Sequence, residues 1–105
     1  MTTDRIRDLN DAFRTKLTGG RILLTRGIVG REDTNEILEK VKSFEAFDEG
    51  NAPHHEHDFG GFEAGPDTVF FKIDYYNTDL SQGSPDPADP DVTTRVLTIM
   101  LAEEY

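Results

Sequence analysis

The stretch TVFFKIDYY at 68–76 alternates without a break, with Val69, Phe71, Ile73 and Tyr75 set against Phe70, Lys72, Asp74 and Tyr76. A period of two sorts these residues onto two faces of a β-strand, and no helix can sort them. Just before it, AGPD at 64–67 carries the glycine and proline of a hairpin loop, and residues 56–63 read as the partner strand. A symmetrical closure sets Glu63 opposite Thr68, Phe62 opposite Val69, Gly60 opposite Phe71, Phe59 opposite Lys72 and His57 opposite Asp74. In that register Gly60 leaves space for the Phe71 ring. His57 and Asp74 become a cross-strand pair worth about 0.2–1 kcal/mol.

The rest of the chain must supply the cover for this hairpin. Ile6, Leu9, Phe13 and Leu17 recur at helical spacing, so a helix is expected over 4–17, capped by Thr3, stopped by Gly19-Gly20 and solvated on its polar face. ILLT at 22–25 reads as a short buried strand, Gly27 to Gly30 as a turn, and 32–44 as a helix with Ile37, Val41 and Phe44 on one face. NTDLSQGSPDPADPD at 77–91, with three prolines, one glycine and four aspartates, is a loop long enough to be worth attention. Asp86 organises a turn within it, and Asp89 before Pro90 is a helix start. The tail VTTRVLTIMLAEEY is read as a helix with Val92, Val96, Leu97, Ile99, Met100 and Leu101 on one broad face; its β-branched residues make a strand the alternative. The expected fold is α+β, a single domain over 1–105. It has a small antiparallel sheet with helices packed on one side, in the order helix, strand, helix, strand, strand, helix.

The absence of cysteine excludes disulfides, thiolate zinc sites and cysteine nucleophiles. With no apolar run of membrane-spanning length and no signal-peptide pattern at MTTDRIRDLN, a soluble cytoplasmic protein without a membrane partner is expected. The net charge of -10 is unevenly placed: nine Lys or Arg stand against seven acids in residues 1–42, but two against fourteen in 43–105. Such a surface repels nucleic acid directly and attracts a basic protein.

Three stretches, HDFGGFE at 57–63, FFKIDYYNTDL at 70–80 and GSPDPADPDVTTRVLTIMLAEEY at 83–105, together with the helix over Arg5 to Asp11, resemble the bacterial domain-of-unknown-function family DUF3768. The resemblance covers nearly the whole chain and implies no established activity. His57, Asp58, Phe59 and Gly60 fit the shared pattern; His54 and His55 depart from it. The plasmid association that the resemblance implies gives a concrete form to the basic partner. It would be a nucleic-acid-binding defence protein, inhibited by carboxylates that mimic nucleic-acid charge, as in an anti-CRISPR or anti-restriction factor.

The residues expected to meet that partner are Asp74, Tyr76, Asp79, Asp86 and Asp89, tyrosine for contact area and the acids for steering. A second reading is a zinc- or manganese-binding domain or small enzyme built on His55, His57 and Asp58, since His55 and His57 point to one side of an extended strand. No other cofactor is expected. A third is a structural accessory subunit or homodimer that buries the broad face of the last helix. Nuclease chemistry would need an acid two positions before Lys72, where Phe70 stands. No serine lies in a nucleophile elbow, and the aspartate-rich loop lacks the glycine and glutamate of an EF-hand. Gly60, Phe71, Asp74, His57, Asp89 and Pro90 all have structural readings as well.

Overall fold

The computed structural model describes residues 2–48 and 55–105. Its elements are α1 (Thr2–Lys16), β1 (Arg21–Leu24), α2 (Arg26–Val29), α3 (Thr34–Ser43), β2 (Phe59–Ala64), β3 (Asp67–Tyr76) and β4 (Thr94–Leu101), with 3₁₀ turns at Pro90–Val92 and Ala102–Glu104. The strands form one sheet in the order β1-β4-β3-β2, in which β1 runs parallel to β4 and the other pairs are antiparallel. The fold is α+β with a mixed sheet.

The hairpin closes on the two residues Gly65 and Pro66, with Ala64 paired to Asp67 and Gly65 at φ +60, a backbone angle that glycine adopts freely. Gly60 lies opposite Phe71, and a Cβ built on Gly60 would stand 2.5 Å from the Phe71 ring and 2.7 Å from Phe44. The close approach of two rings therefore requires glycine. Val69, Phe71 and Ile73 are buried beneath the helices, joined by Leu97 and Ile99 of β4, Phe13 of α1, Ile28 of α2, and Ile37 and Val41 of α3. All three helices cover this one face. Burying Phe71 completely is worth about 2–3 kcal/mol.

The tail departs from the helix expected of it. Thr94–Leu101 is an inner strand, β4, held between β1 and β3. A strand whose side chains are buried on both faces loses its period of two: Val96 and Met100 are buried on one face among their in-sheet neighbours, Leu97 and Ile99 on the other beneath the helices, and that continuous apolar run also fits a broad helical stripe. Pairing with two neighbours settles it, in line with the β-branched residues Thr94, Val96, Thr98 and Ile99. The homodimer reading thus loses the exposed helix on which it rested.

Gly27–Gly30 is likewise more than a turn. Arg26–Val29 makes one helical turn that sinks Ile28 fully into the core. Glu104 holds this turn from the far end of the chain, accepting from the Thr25 hydroxyl (2.6 Å), the Leu101 amide (2.8 Å) and the Gly27 amide (3.0 Å). The Thr25 bond first, then the amides, keep its carboxyl below the usual carboxylate range.

Candidate functional site

Among the described residues no helix lies over the sheet face opposite the core. By strand alternation this face presents Phe70, Lys72, Asp74 and Tyr76 of β3, Phe59 and Glu63 of β2, Thr94, Val96, Thr98 and Met100 of β4, and Arg21 and Leu23 of β1, of which Leu23 is 53% exposed. The last 3₁₀ turn lays Tyr105 across one end of this face, with ring centroids 5.6 Å from Phe59 and 5.8 Å from Phe70, while Phe59 and Phe70 stand 5.1 Å apart. Tyr105 itself stays 75% exposed. Lys72 and Asp74, two apart on the strand, pair at 3.0 Å in the middle of the face, and this bond raises the Lys72 ammonium above its usual value. Tyr76 stands at the other end, where the chain leaves the sheet for residues 77–93 and returns to bridge Tyr76 through Gly83.

This connection is ordered by its own aspartates. Asp79 accepts from the Ser81 amide (3.0 Å), and the Ser81 hydroxyl first, then this amide, hold its carboxyl below the usual range. Asp86 accepts from the Ala88 amide (3.1 Å), and Asp89 from the Asp91 amide (2.9 Å). The Asp89-Pro90 pair starts a single 3₁₀ turn rather than a long helix. The expected partner-binding residues therefore fall in two groups. Asp74 and Tyr76 lie on the open sheet face with Asp79 just beyond its edge, whereas Asp86 and Asp89 flank a stretch tied to the helical side, where Arg5 donates to the Ala88 carbonyl at 3.0 Å.

A buried polar chain fastens the two sides together. Asn10, 0% exposed, donates through Nδ2 to the Tyr75 hydroxyl (2.7 Å) and the Glu56 carbonyl (2.9 Å), and Tyr75 donates on to the Glu56 carboxylate (2.9 Å). Asn10 Oδ1 accepts from Arg95 Nε at 2.7 Å, and Arg95 Nη2 reaches the Pro87 carbonyl at 2.6 Å. Arg95 also stacks over the Tyr75 ring at 5.2 Å. Burial pushes the Tyr75 phenol well above its ordinary value and draws the Arg95 guanidinium down.

His57 makes no pair with Asp74. The β2–β3 ladder extends as far as the bond from the Ile73 amide to the Asp58 carbonyl (2.8 Å), but His57 then adopts φ +57 and turns out of the strand. Its ring goes beneath the sheet, stacks on Phe47 at 4.0 Å and 4°, and sets Nδ1 3.0 Å from the Asp11 carboxylate. Asp11 also meets Arg14 at 3.3 Å. Arg14, 3% exposed, donates to the Val41 carbonyl at 2.7 Å and so closes the end of α3. His55 is exposed, at φ +60, and His54 lies outside the described residues. Among the described residues no three His, Asp or Glu side chains are grouped as a metal site requires.

Asn10, Asp11, Arg14 and Arg95 were not singled out from the sequence. Asn10 and Arg14 lie four apart on the stripe of Ile6, Phe13 and Leu17, and a polar residue inside an apolar stripe was the available signal, so the polar side of α1 is not merely solvated. Arg95 shares a strand face with Leu97 and Ile99. A helical reading of the tail conceals that.

Among the described residues no helix is long and apolar enough to cross a membrane. No curated protein and no solved structure matches the chain. The sequence profile described as "Protein of unknown function (DUF3768)" matches residues 2–104, and the chain belongs to that family.

Proposed function

We propose that this protein is a non-enzymatic interaction module that binds a basic protein surface through its open sheet face and the acidic edge beside Tyr76. The observation that carries this reading is the disposition of charge around an uncovered apolar face. Of the two cations after residue 42, Lys72 is spent on Asp74 and Arg95 is 4% exposed. Lys72 and Asp74 thereby neutralise each other in the middle of the face, Arg21 and Glu63 stand exposed on its two edge strands, and beyond Tyr76 lie exposed carboxylates that have no cation of their own half to balance them. Apolar contact supplies the area, and the acids raise the encounter rate and select against acidic partners. A basic groove that normally holds nucleic acid has this chemistry, and the anti-CRISPR or anti-restriction inhibitor is the finer form of the proposal.

Asp79→Lys is the informative charge reversal. The Ser81 amide keeps Asn77 Oδ1 as an acceptor at 2.9 Å, so the turn survives. Glu36→Lys on α3, with its exposed side chain on the far side of the sheet, changes net charge equally and serves as control. Capture of binding proteins by the wild type is expected to fall with Asp79→Lys and with Tyr76→Ala, and to persist with Glu36→Lys. Duplex DNA added in excess competes if the partner's nucleic-acid groove is the target. Equal losses for Asp79→Lys and Glu36→Lys would reduce the interaction to bulk charge and sink the proposal.

A further inference from the structure

Arg95 is a buried cation on a strongly acidic chain, yet among the described residues it has no carboxylate within ion-pair distance. Its acceptors are neutral, the Asn10 side-chain oxygen and the Pro87 carbonyl, and its face rests on a Tyr75 ring whose phenol burial keeps protonated. Nη1 has no hydrogen-bond partner among the described residues. The Glu56 carboxylate, bonded to Tyr75, acts on the guanidinium only across that ring; a guanidinium taken out of water without a directly bonded counter-charge is costly, and an anion brought to it recovers part of that cost.

An opening leads to it. Between α1 and the segment that enters β4 lies a cleft of about 370 Å³, with Arg95 among its lining residues. Leu9, Phe13 and Pro90 give it apolar walls, and Lys16 and Thr18 its polar rim. Among the described residues no acid lines it, although the chain carries 21. Lys16 also stands in the last turn of α1, where its ammonium offsets the negative carbonyl end of the helix that would otherwise oppose an anion.

The geometry points to a binding site for a small organic oxyanion, a carboxylate or phosphate group on a short apolar body, with Arg95 Nη1 and the Lys16 ammonium on the oxyanion and Leu9, Phe13 and Pro90 around the body. The site stands apart from the open sheet face. It lies on the helical side, so it does not depend on the interaction proposed above.

The test is a titration of isotope-labelled full-length chain, followed by amide shifts at constant ionic strength, with hexanoate, hexyl phosphate and inorganic phosphate as probes. Saturable shifts are expected in residues 16–20 and 93–95, with at least one hexyl ligand binding about tenfold more tightly than inorganic phosphate. Preference for hexanoate assigns a carboxylate, and preference for hexyl phosphate a phosphate ester. Arg95→Gln is expected to abolish the saturable shifts. Because that variant also disturbs the Asn10 chain, Lys16→Glu at an exposed position provides the second arm and is expected to weaken binding about tenfold while lowering the melting temperature only slightly, through the charge reversed at the end of α1. Shifts that stay linear to about 50 mM for every probe, or saturable shifts that Lys16→Glu leaves unaltered, overturn the inference.

Discussion

Replacing Asn10 by alanine tests the joint between α1, the sheet and the acidic connection most directly. The side chain is completely buried, and its orientation is dictated by its neighbours: Arg95 Nε can only donate, so Oδ1 must face it and Nδ2 must face Tyr75 and the Glu56 carbonyl. In Asn10→Ala, Arg95 Nε loses its only acceptor among the described residues, at a cost of about 2 kcal/mol for a charged donor left dry. The Glu56 carbonyl loses the Asn10 amide, about 1 kcal/mol, while Tyr75 retains the Glu56 carboxylate. The small void left behind adds about 1 kcal/mol. The sum, about 4 kcal/mol, is a large part of the ~5–15 kcal/mol that stabilises a domain. With a urea slope of about 1.2 kcal/mol per molar, the midpoint followed by circular dichroism falls by about 3 M at unchanged slope. Arg95→Met removes the donor as well, so the double variant loses less than the sum of the singles, by about 1–2 kcal/mol. A midpoint lowered by less than about 0.5 M, or strictly additive variants, would refute the reasoning.

Gly60→Ala forces a methyl against Phe71 and Phe44 and is expected to cost about 1–3 kcal/mol, read as a lower melting temperature in calorimetry. The raised Tyr75 phenol sets an alkaline limit: the group is neutral in both states below its unfolded value near pH 10, and its contribution to stability is complete there. Above pH ~10 the unfolded chain loses this proton first, so urea midpoints are expected to fall as pH rises further, and less steeply in Tyr75→Phe. The lowered Glu104 carboxyl acts in the opposite sense, giving stability above its unfolded value near pH 4.3 that is lost as pH falls through the folded value. Glu104→Gln is expected to speed hydrogen exchange of the Gly27 and Leu101 amides at neutral pH while leaving the β3–β4 ladder protected.

By itself the sequence determined the hairpin, the two longer helices, the α+β class and the lopsided charge. Each of these is local or additive: alternation along TVFFKIDYY, helical spacing in α1 and α3, a glycine facing a phenylalanine, a sum over charged residues. The tertiary structure decided what depends on neighbours remote in the chain. The tail became a strand because β1 and β3 take its hydrogen bonds on both edges, and an apolar run buried on both sides of the sheet carries no period of its own. His57 turned from Asp74 to Asp11 because its left-handed backbone ends the ladder and aims the ring at α1, 46 residues away. Arg95 was placed beneath the sheet by the parity of a strand that only pairing could establish. The chain states which side chains share a face wherever one element suffices, but contacts between elements arise from packing, in which a residue's partner depends on every element placed around it.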